Sequence, residues 1–464
     1  MAATRKASAA EPPAPVPPRP PRLDRRPFRH ELTPVWLQTA ATLAGEEVDA
    51  ADTLGRVAWF GCQAWVTPAV VAAVHPSASV RVWDPDPARL ARVAAVRRHA
   101  GLANLEVHER RSPPDASLHD RFDLVVVDGL VDSTTDVGRE RLVAAAASLL
   151  RPGGFLVVSY RTVVGWGEVA PLVRLLRRTI AEGTAHGPRE VLAPLQVLRS
   201  RGAAYPAVRP AVGAWLDELL EMSPAEAIGT WGADDLRPLS HAQVSHAAAA
   251  HGAEFVTSAH VHDPLVSAPT ALARQVRASP TAVLRESLTD LAVRRTRRID
   301  LFRLGRSTVD ERARSRAVQR LAMVATRLDV AESVGAGWAE PGATLDGVAA
   351  TEGADPFGRR RQALRTGATR VGDLWPGEPP KRREVLTRAA LGAGLLHPVA
   401  RTAAAPVPVE ALAAATRLTD ALARRGHAEA NHYSVAPVIG TAVPSTYAAA
   451  LDDQGRRALG IGAP

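Results

Sequence analysis

A doubly wound α/β sheet is the fold class this sequence predicts, on three observations. Short apolar runs of strand type alternate with helical periodicity between residues 55 and 160. The runs are mainly apolar, as in strands of a parallel sheet covered on both faces by helices. Their ends carry a glycine and two acids, Gly61, Asp84 and Asp128. Open sheets of this kind bind ligands beyond the carboxyl ends of their strands, so these three residues are the first candidates for a site.

Each element has its own signal. Leu32-Thr33-Pro34 leads into a helix over 35–44, with Leu37, Ala40, Ala41 and Leu43 at helical spacing. Val57 to Cys62 reads as a buried strand ending in a turn, and 68–74 as the start of a helix. The second strand, 80–84, ends on Asp84. That carboxylate suits ribose hydroxyls, because it accepts through several lone pairs. It equally suits the start of the helix after Pro85, since Asp is a common cap. Spacing alone leaves both readings open. A helix over 88–100, a third strand over 105–107, a fourth over 122–127 and a helix over 139–150 follow. Arg151-Pro152-Gly153-Gly154 then turns the chain into a fifth strand, 155–160.

Composition bounds the rest. At 464 residues the chain has room for two to four domains. Its one cysteine, Cys62, excludes an intramolecular disulfide and points to a cytoplasmic location. No apolar run reaches the ~18–20 residues of a membrane span, and the Ala/Pro/Arg-rich start lacks the apolar core of a secretory signal. A net charge of +9 invites a nucleic-acid partner. Only 4% aromatics and scattered arginines argue against one.

The motifs of 122–166 carry a resemblance. Phe122-Asp123-Leu124-Val125-Val126-Val127-Asp128-Gly129, then Leu149-Leu150-Arg151-Pro152-Gly153-Gly154-Phe155-Leu156-Val157-Val158-Ser159-Tyr160 and Gly165-Trp166, resemble class I S-adenosylmethionine (SAM) dependent methyltransferases. More narrowly, they resemble the bacterial ones that carry a methyltransferase regulatory domain, a group that includes protein-lysine methyltransferases. Ala249-Ala250-His251-Gly252 with Phe255, Val256 and Ala259 is similar to that family's later signature, as is Leu284–Leu291 with the Arg294–Phe302 run. The resemblance implies a Rossmann-like sheet, SAM as cofactor, and a protein or small-molecule methyl acceptor as partner. Gly61 and Gln63 would line the methionine end and Asp84 the ribose. Asp128 and Gly129 would border the transferred methyl, and Tyr160 would orient an acceptor amine. The family's first motif is Glu-x-Gly-Cys-Gly-x-Gly. Here Trp59, Gly61, Cys62, Gln63 and Trp65 stand at its defining positions, so two glycines and the acid are replaced. The acid that holds adenine is replaced near Arg110-Arg111. A non-catalytic protein that keeps the fold as a binding module is therefore the alternative reading.

The expected organisation is a Pro/Arg-rich disordered tail over 1–26, the methyltransferase-like domain over 27–182, a mainly helical regulatory domain over 183–306, and a small winged-helix-like C-terminal domain over 307–464. Histidines 241, 246, 251, 260 and 262 do not form a metal set: a five-residue step turns a helix by ~140°, so the first three share no face. The arginine run near 294–298 reads as a solvated face paired to Glu286 and Asp290. Residues 310–330 read as one Arg/Ala-rich helix, 335–373 as loops, and 383–396 as a helix before a short strand.

Overall fold

The structure, a computed structural model, describes residues 26–48, 55–108, 121–182, 188–231, 235–305, 308–325, 369–392, 394, 396–399, 408–424, 433–436, 440–444 and 461. The Pro-rich tail, Arg110-Arg111 and most of the loops expected over 335–373 lie outside the described residues. At the end of that stretch Thr369–Arg370 is a strand and Val371–Leu374 a helical turn instead.

The central sheet takes its strands from β1 (Arg56–Phe60), β2 (Ser79–Trp83), β3 (Leu105–His108), β4 (Phe122–Asp128), β5 (Leu150–Arg161), β6 (Ala253–Ser258) and β7 (Arg297–Leu304). Their spatial order is β3-β2-β1-β4-β5-β7-β6. The first five are parallel, with Phe60 beside Trp83 and Val127 in the β1 register. β7 lies antiparallel to both β5 and β6. The apolar runs of β1 and β4 are buried on both faces, while β2 and the edge strand β3 mix buried with half-buried residues. Val57, Trp59, Val80, Val82, Leu124 and Val126 fill one face, and Ala58, Phe60, Val125 and Val127 the other. Side-chain caps open two of the helices. Asp86 accepts from the Ala88 amide to open Pro87–Ala100, and Thr135 accepts from Gly138 to open Asp136–Leu149.

The expected boundary between sheet and regulatory region shifts. β6 and β7 fall in the segment expected to be regulatory, yet they complete the sheet. A separate compact helical unit spans Trp166–Leu236 in the sequence between β5 and β6. Its helices include Ala170–Ala181, Pro188–Ser200 and Pro210–Glu221. They close over Leu172, Leu176, Leu195, Leu216 and Leu219 and three tryptophans, Trp166, Trp215 and Trp231. Trp215 and Trp231 meet edge to face at 5.0 Å, a geometry that adds to simple area burial.

Beyond β7 the helix expected over 310–330 stops sooner. Glu311–Arg320 is helical, and Leu321 then leads into β8 (Ala322–Ala325). β8 pairs with β9 (Thr369–Arg370) and with β10 (Leu396–Pro398). The apolar Ala-Met-Val-Ala run finds strand partners there, and that outweighs local helix propensity. The helix Pro380–Gly392 lies between β9 and β10 in sequence. Its Arg388 points inward and donates to the carbonyls of Leu43 (2.7 Å) and Val261 (3.1 Å). The helix Val409–Arg424 packs along Thr67–Val74 and Pro87–Ala100, with Arg417 donating to the Ala100 carbonyl at 2.8 Å. β11 (Tyr433–Ala436) and β12 (Thr441–Pro444) form a hairpin.

Candidate functional site

The strand order reverses between β1 and β4, and loops diverging from such a point leave a crevice at the strand ends. Gly61 ends β1 at φ +86°, where a side chain would strike the Asp128 carbonyl and Leu130. Only glycine fits this turn. Its amide donates to the Trp83 carbonyl at 2.8 Å, tying β1 to the end of β2. Asp84 sits next, 3% exposed, and accepts from the amides of Cys62 (2.6 Å) and Asp86 (2.8 Å). Burial raises its pKa, while those two amides and Arg89 oppose the rise. Asp84 thus braces the first loop and the start of the next helix at the same time. Burial and the nearby Asp84 and Asp128 push the Cys62 thiol well above its usual range, so it is an inert packing group.

Asp128 ends β4, fully buried. Its Oδ2 accepts from the Ala64 amide at 2.8 Å, and its Oδ1 has no hydrogen-bond partner. Gly129 follows at φ +69°, and a Cβ there would run into the Gln63 side chain. The Gln63 carboxamide lies over it: Nε2 donates to the Gly129 carbonyl (3.3 Å), and Oε1 accepts from Nη2 of Arg297 (3.0 Å). Nη1 of Arg297 donates to Ser159 at 2.8 Å. Gln63 therefore stands where the family has bare backbone. Trp65, the other replaced glycine, is 4% exposed and packed in the apolar core.

Tyr160 is placed elsewhere, which corrects its expected role. Strand alternation turns it to the opposite face from Ser159, among Val158, Leu156 and Phe302. Its hydroxyl donates to Asp300 at 2.6 Å, and burial followed by Asp300 raises its pKa well above normal. A fully buried phenol committed to a carboxylate does not orient an acceptor amine. Asp300 also accepts from Arg298 (2.9 Å) and meets His241 Nδ1 at 3.0 Å. Arg298 continues to Asp290 (2.7 Å) and Glu286 (2.8 Å). Burial alone would raise Asp300, but Arg298 and His241 hold it far below the usual carboxylate range. Arg295 and Arg298 thus pair with Asp290 and Glu286 as expected, but Arg298 is fully buried rather than on a solvated face, and Arg297 turns instead to Gln63 and Ser159.

Ser245 Oγ lies 3.0 Å from His241 Nε2, which completes the order hydroxyl, imidazole, carboxylate. Hydrolytic relays also need oxyanion donors beside the nucleophile. Ser245 stands inside the helix His241–Ala249, whose amides are used by the helix, so the set is structural. His246 and His251 are exposed while His241 is buried. Among the described residues no three His, Cys, Asp or Glu side chains form a metal-binding group, and no helix is long and apolar enough to cross a membrane.

Comparison with solved structures bears on this arrangement. PKMT2 from Rickettsia typhi aligns with a TM-score of 0.57 at 13% identity, over 80% of this chain and 76% of that one. The same protein in complex with AdoHcy aligns at 0.56 and 13%, over 83% and 77%. The fold is that of a class I SAM-dependent methyltransferase. Residues 233–303 match the family described as "Predicted methyltransferase regulatory domain". Strand β6, nearly all of β7, and Arg298 and Asp300 fall within the matched residues. A protein of Synechocystis sp., "Uncharacterized protein sll1526", is 22% identical over 152 residues, 32% of this chain and 30% of that protein. The chain matches less than a third of that relative's length.

Sequence reasoning brought Gly61, Gln63, Asp84, Asp128 and Gly129 to one place, and these five do adjoin. It missed Ser159 and Arg297. Arg297 lay within a noticed arginine run, and its strand alternation with Arg298 was the available signal.

Proposed function

We propose that the chain binds SAM across the carboxyl ends of β1, β2 and β4 and transfers a methyl group to a nucleophile on a protein side chain or a small molecule. The observation that carries this reading is the pair of buried carboxylates, Asp84 and Asp128, on either side of the Gly61 turn at the point where strand order reverses. The polar groups suit such a ligand. Asp128 keeps an unused acceptor oxygen, Asp84 has further lone pairs beside its two amide bonds, and Arg297 offers a cation at the far side of Gly129. Bound SAM would supply an electrophilic methyl on a sulfonium, chemistry that asks the protein for alignment more than for acid or base. Asp84 would hold the ribose hydroxyls, and Gly61 would let the backbone come close. Asp128 and Gly129 would border the acceptor. The acceptor class follows the resemblance of the 122–166 motifs.

A second reading, a non-catalytic protein that uses the fold for binding, is favoured by one observation. Gln63 fills the space over Gly129 and is held there from β7. Calorimetric titration of the full chain with SAM, with Asp84→Ala as control and labelled-methyl transfer as the follow-up, separates the two. Saturable heat lost in Asp84→Ala supports the enzyme. No heat and no thermal stabilisation at millimolar SAM leaves the non-catalytic reading.

A further inference from the structure

The Gln63 carboxamide presents an acceptor and a donor on one carbon. The acceptor faces the Arg297 guanidinium at 3.0 Å, and the donor faces the Gly129 carbonyl at 3.3 Å. An α-amino acid group presents the same pair, an acceptor carboxylate beside a donor ammonium. We propose that Arg297, supplied by β7 of the regulatory-domain segment, is the anchor for the carboxylate of the cofactor's amino-acid end, and that Gln63 is an internal stand-in competing for that anchor and for the Gly129 carbonyl. The proposal rests on the cofactor reading of the cleft given above.

Three features support it. Arg297 is 8% exposed and is positioned on its other side by Ser159, which is fully buried, so the guanidinium is fixed in place. Its fork of donors matches a carboxylate better than an amide, and a charge-assisted bond is roughly twice as strong as a neutral one. A carboxylate would therefore displace the amide oxygen with a net gain. The Gly129 carbonyl also accepts from Ser133 Oγ at 2.9 Å, which leaves one lone pair for either the Gln63 amide or an ammonium. Gln63 is only half-buried, so its side chain has room to swing out. β7 carries Arg297 on one face and Arg298 and Asp300 of the buried network on the other, so the proposed anchor sits on a strand fixed by that network.

The test is calorimetry on the full chain with two ligands. S-adenosylhomocysteine has the amino-acid end, and methylthioadenosine lacks it. Gln63→Gly is expected to tighten S-adenosylhomocysteine about tenfold, the worth of a typical hydrogen-bond competition, and to change methylthioadenosine less than about twofold. Gln63→Glu puts a carboxylate on Arg297 permanently and should weaken S-adenosylhomocysteine. Arg297→Lys in the Gln63→Gly background should lose most of the gain while methylthioadenosine is unaffected; a thermal melt checks that each variant is folded. If methylthioadenosine binds and Gln63→Gly gives no selective gain, the proposal is overturned and the cofactor reading survives. If no variant binds either nucleoside, the cofactor reading itself fails and takes the proposal with it.

Discussion

Two sets of buried charges lie on this one sheet, and they are satisfied in opposite ways. At the carboxyl edge of the parallel strands, Asp84 and Asp128 are held by backbone amides of Cys62, Asp86 and Ala64. On the antiparallel side, Asp300, Arg298, Asp290 and Glu286 are held by one another, with Tyr160 and His241. Amides from a loop leave a carboxylate with spare lone pairs. Ionic partners from strands and helices use up the group and fix it. The first arrangement suits a ligand and the second suits a frame.

Acid should have the largest effect, and it should act through buried groups that belong to neither set. Burial, followed by Arg295, pushes His260 down to about 3, and burial, followed by His30, pushes His397 down to about 3. Both rings are neutral in the fold, while in the unfolded chain they titrate near 6.5. The unfolded chain therefore takes up the extra protons as pH falls. Stability is full above about 6.5 and is lost toward about 3. Glu31, held at about 2 by His30 and Arg26 against its burial, extends the loss below its ordinary 4.5. Urea midpoints should fall steadily from neutral pH to about pH 4, and His260→Gln should flatten that slope. A midpoint constant over this range would contradict the neutral burial of these rings.

Next in size, Asp300→Asn should cost about 3–5 kcal/mol in urea unfolding, because it strips a partner from a fully buried guanidinium. Asp84→Asn should cost less, about 1–3 kcal/mol, since one backbone amide loses its acceptor and no buried cation is left behind. Equal costs at the two sites would erase the distinction between ligand side and frame side. The smallest effect sharpens the baseline. Ser240→Ala removes one half of a capping box with Gln243 and should cost about 1 kcal/mol.

The ligand side was the more legible of the two. β1 to β5 announce themselves through apolar runs, and Gly61, Asp84 and Asp128 through their positions at strand ends, all within about a hundred residues of local pattern. Of the two open readings of Asp84, the cap role falls to Asp86, which Asp84 in turn braces through its amide, and the ribose role is the one proposed for it. Gln63 was legible as a departure from the family motif. Its tie to Arg297 was not, because 234 positions separate the two and only β7 pairing brings them together. Tyr160 failed for a related reason. Its motif suggested the cleft, but strand alternation turns it toward Asp300, 140 positions away. The membership of β6 and β7 in the sheet was hidden likewise, because antiparallel pairing across an inserted helical unit leaves no short-range mark.

That insertion has a consequence for synthesis. The ribosome releases β5 long before β7, the strand that lies between β5 and β6. Until residues 297–304 emerge, β5 keeps an unpaired edge, the kind of surface that invites strand addition by another chain. The helical unit of residues 166–236 is made in that interval. A chain stopped before β7 would lack the frame, the edge cover and Arg297 all at once, so translation must pass Leu304 before this sheet can close.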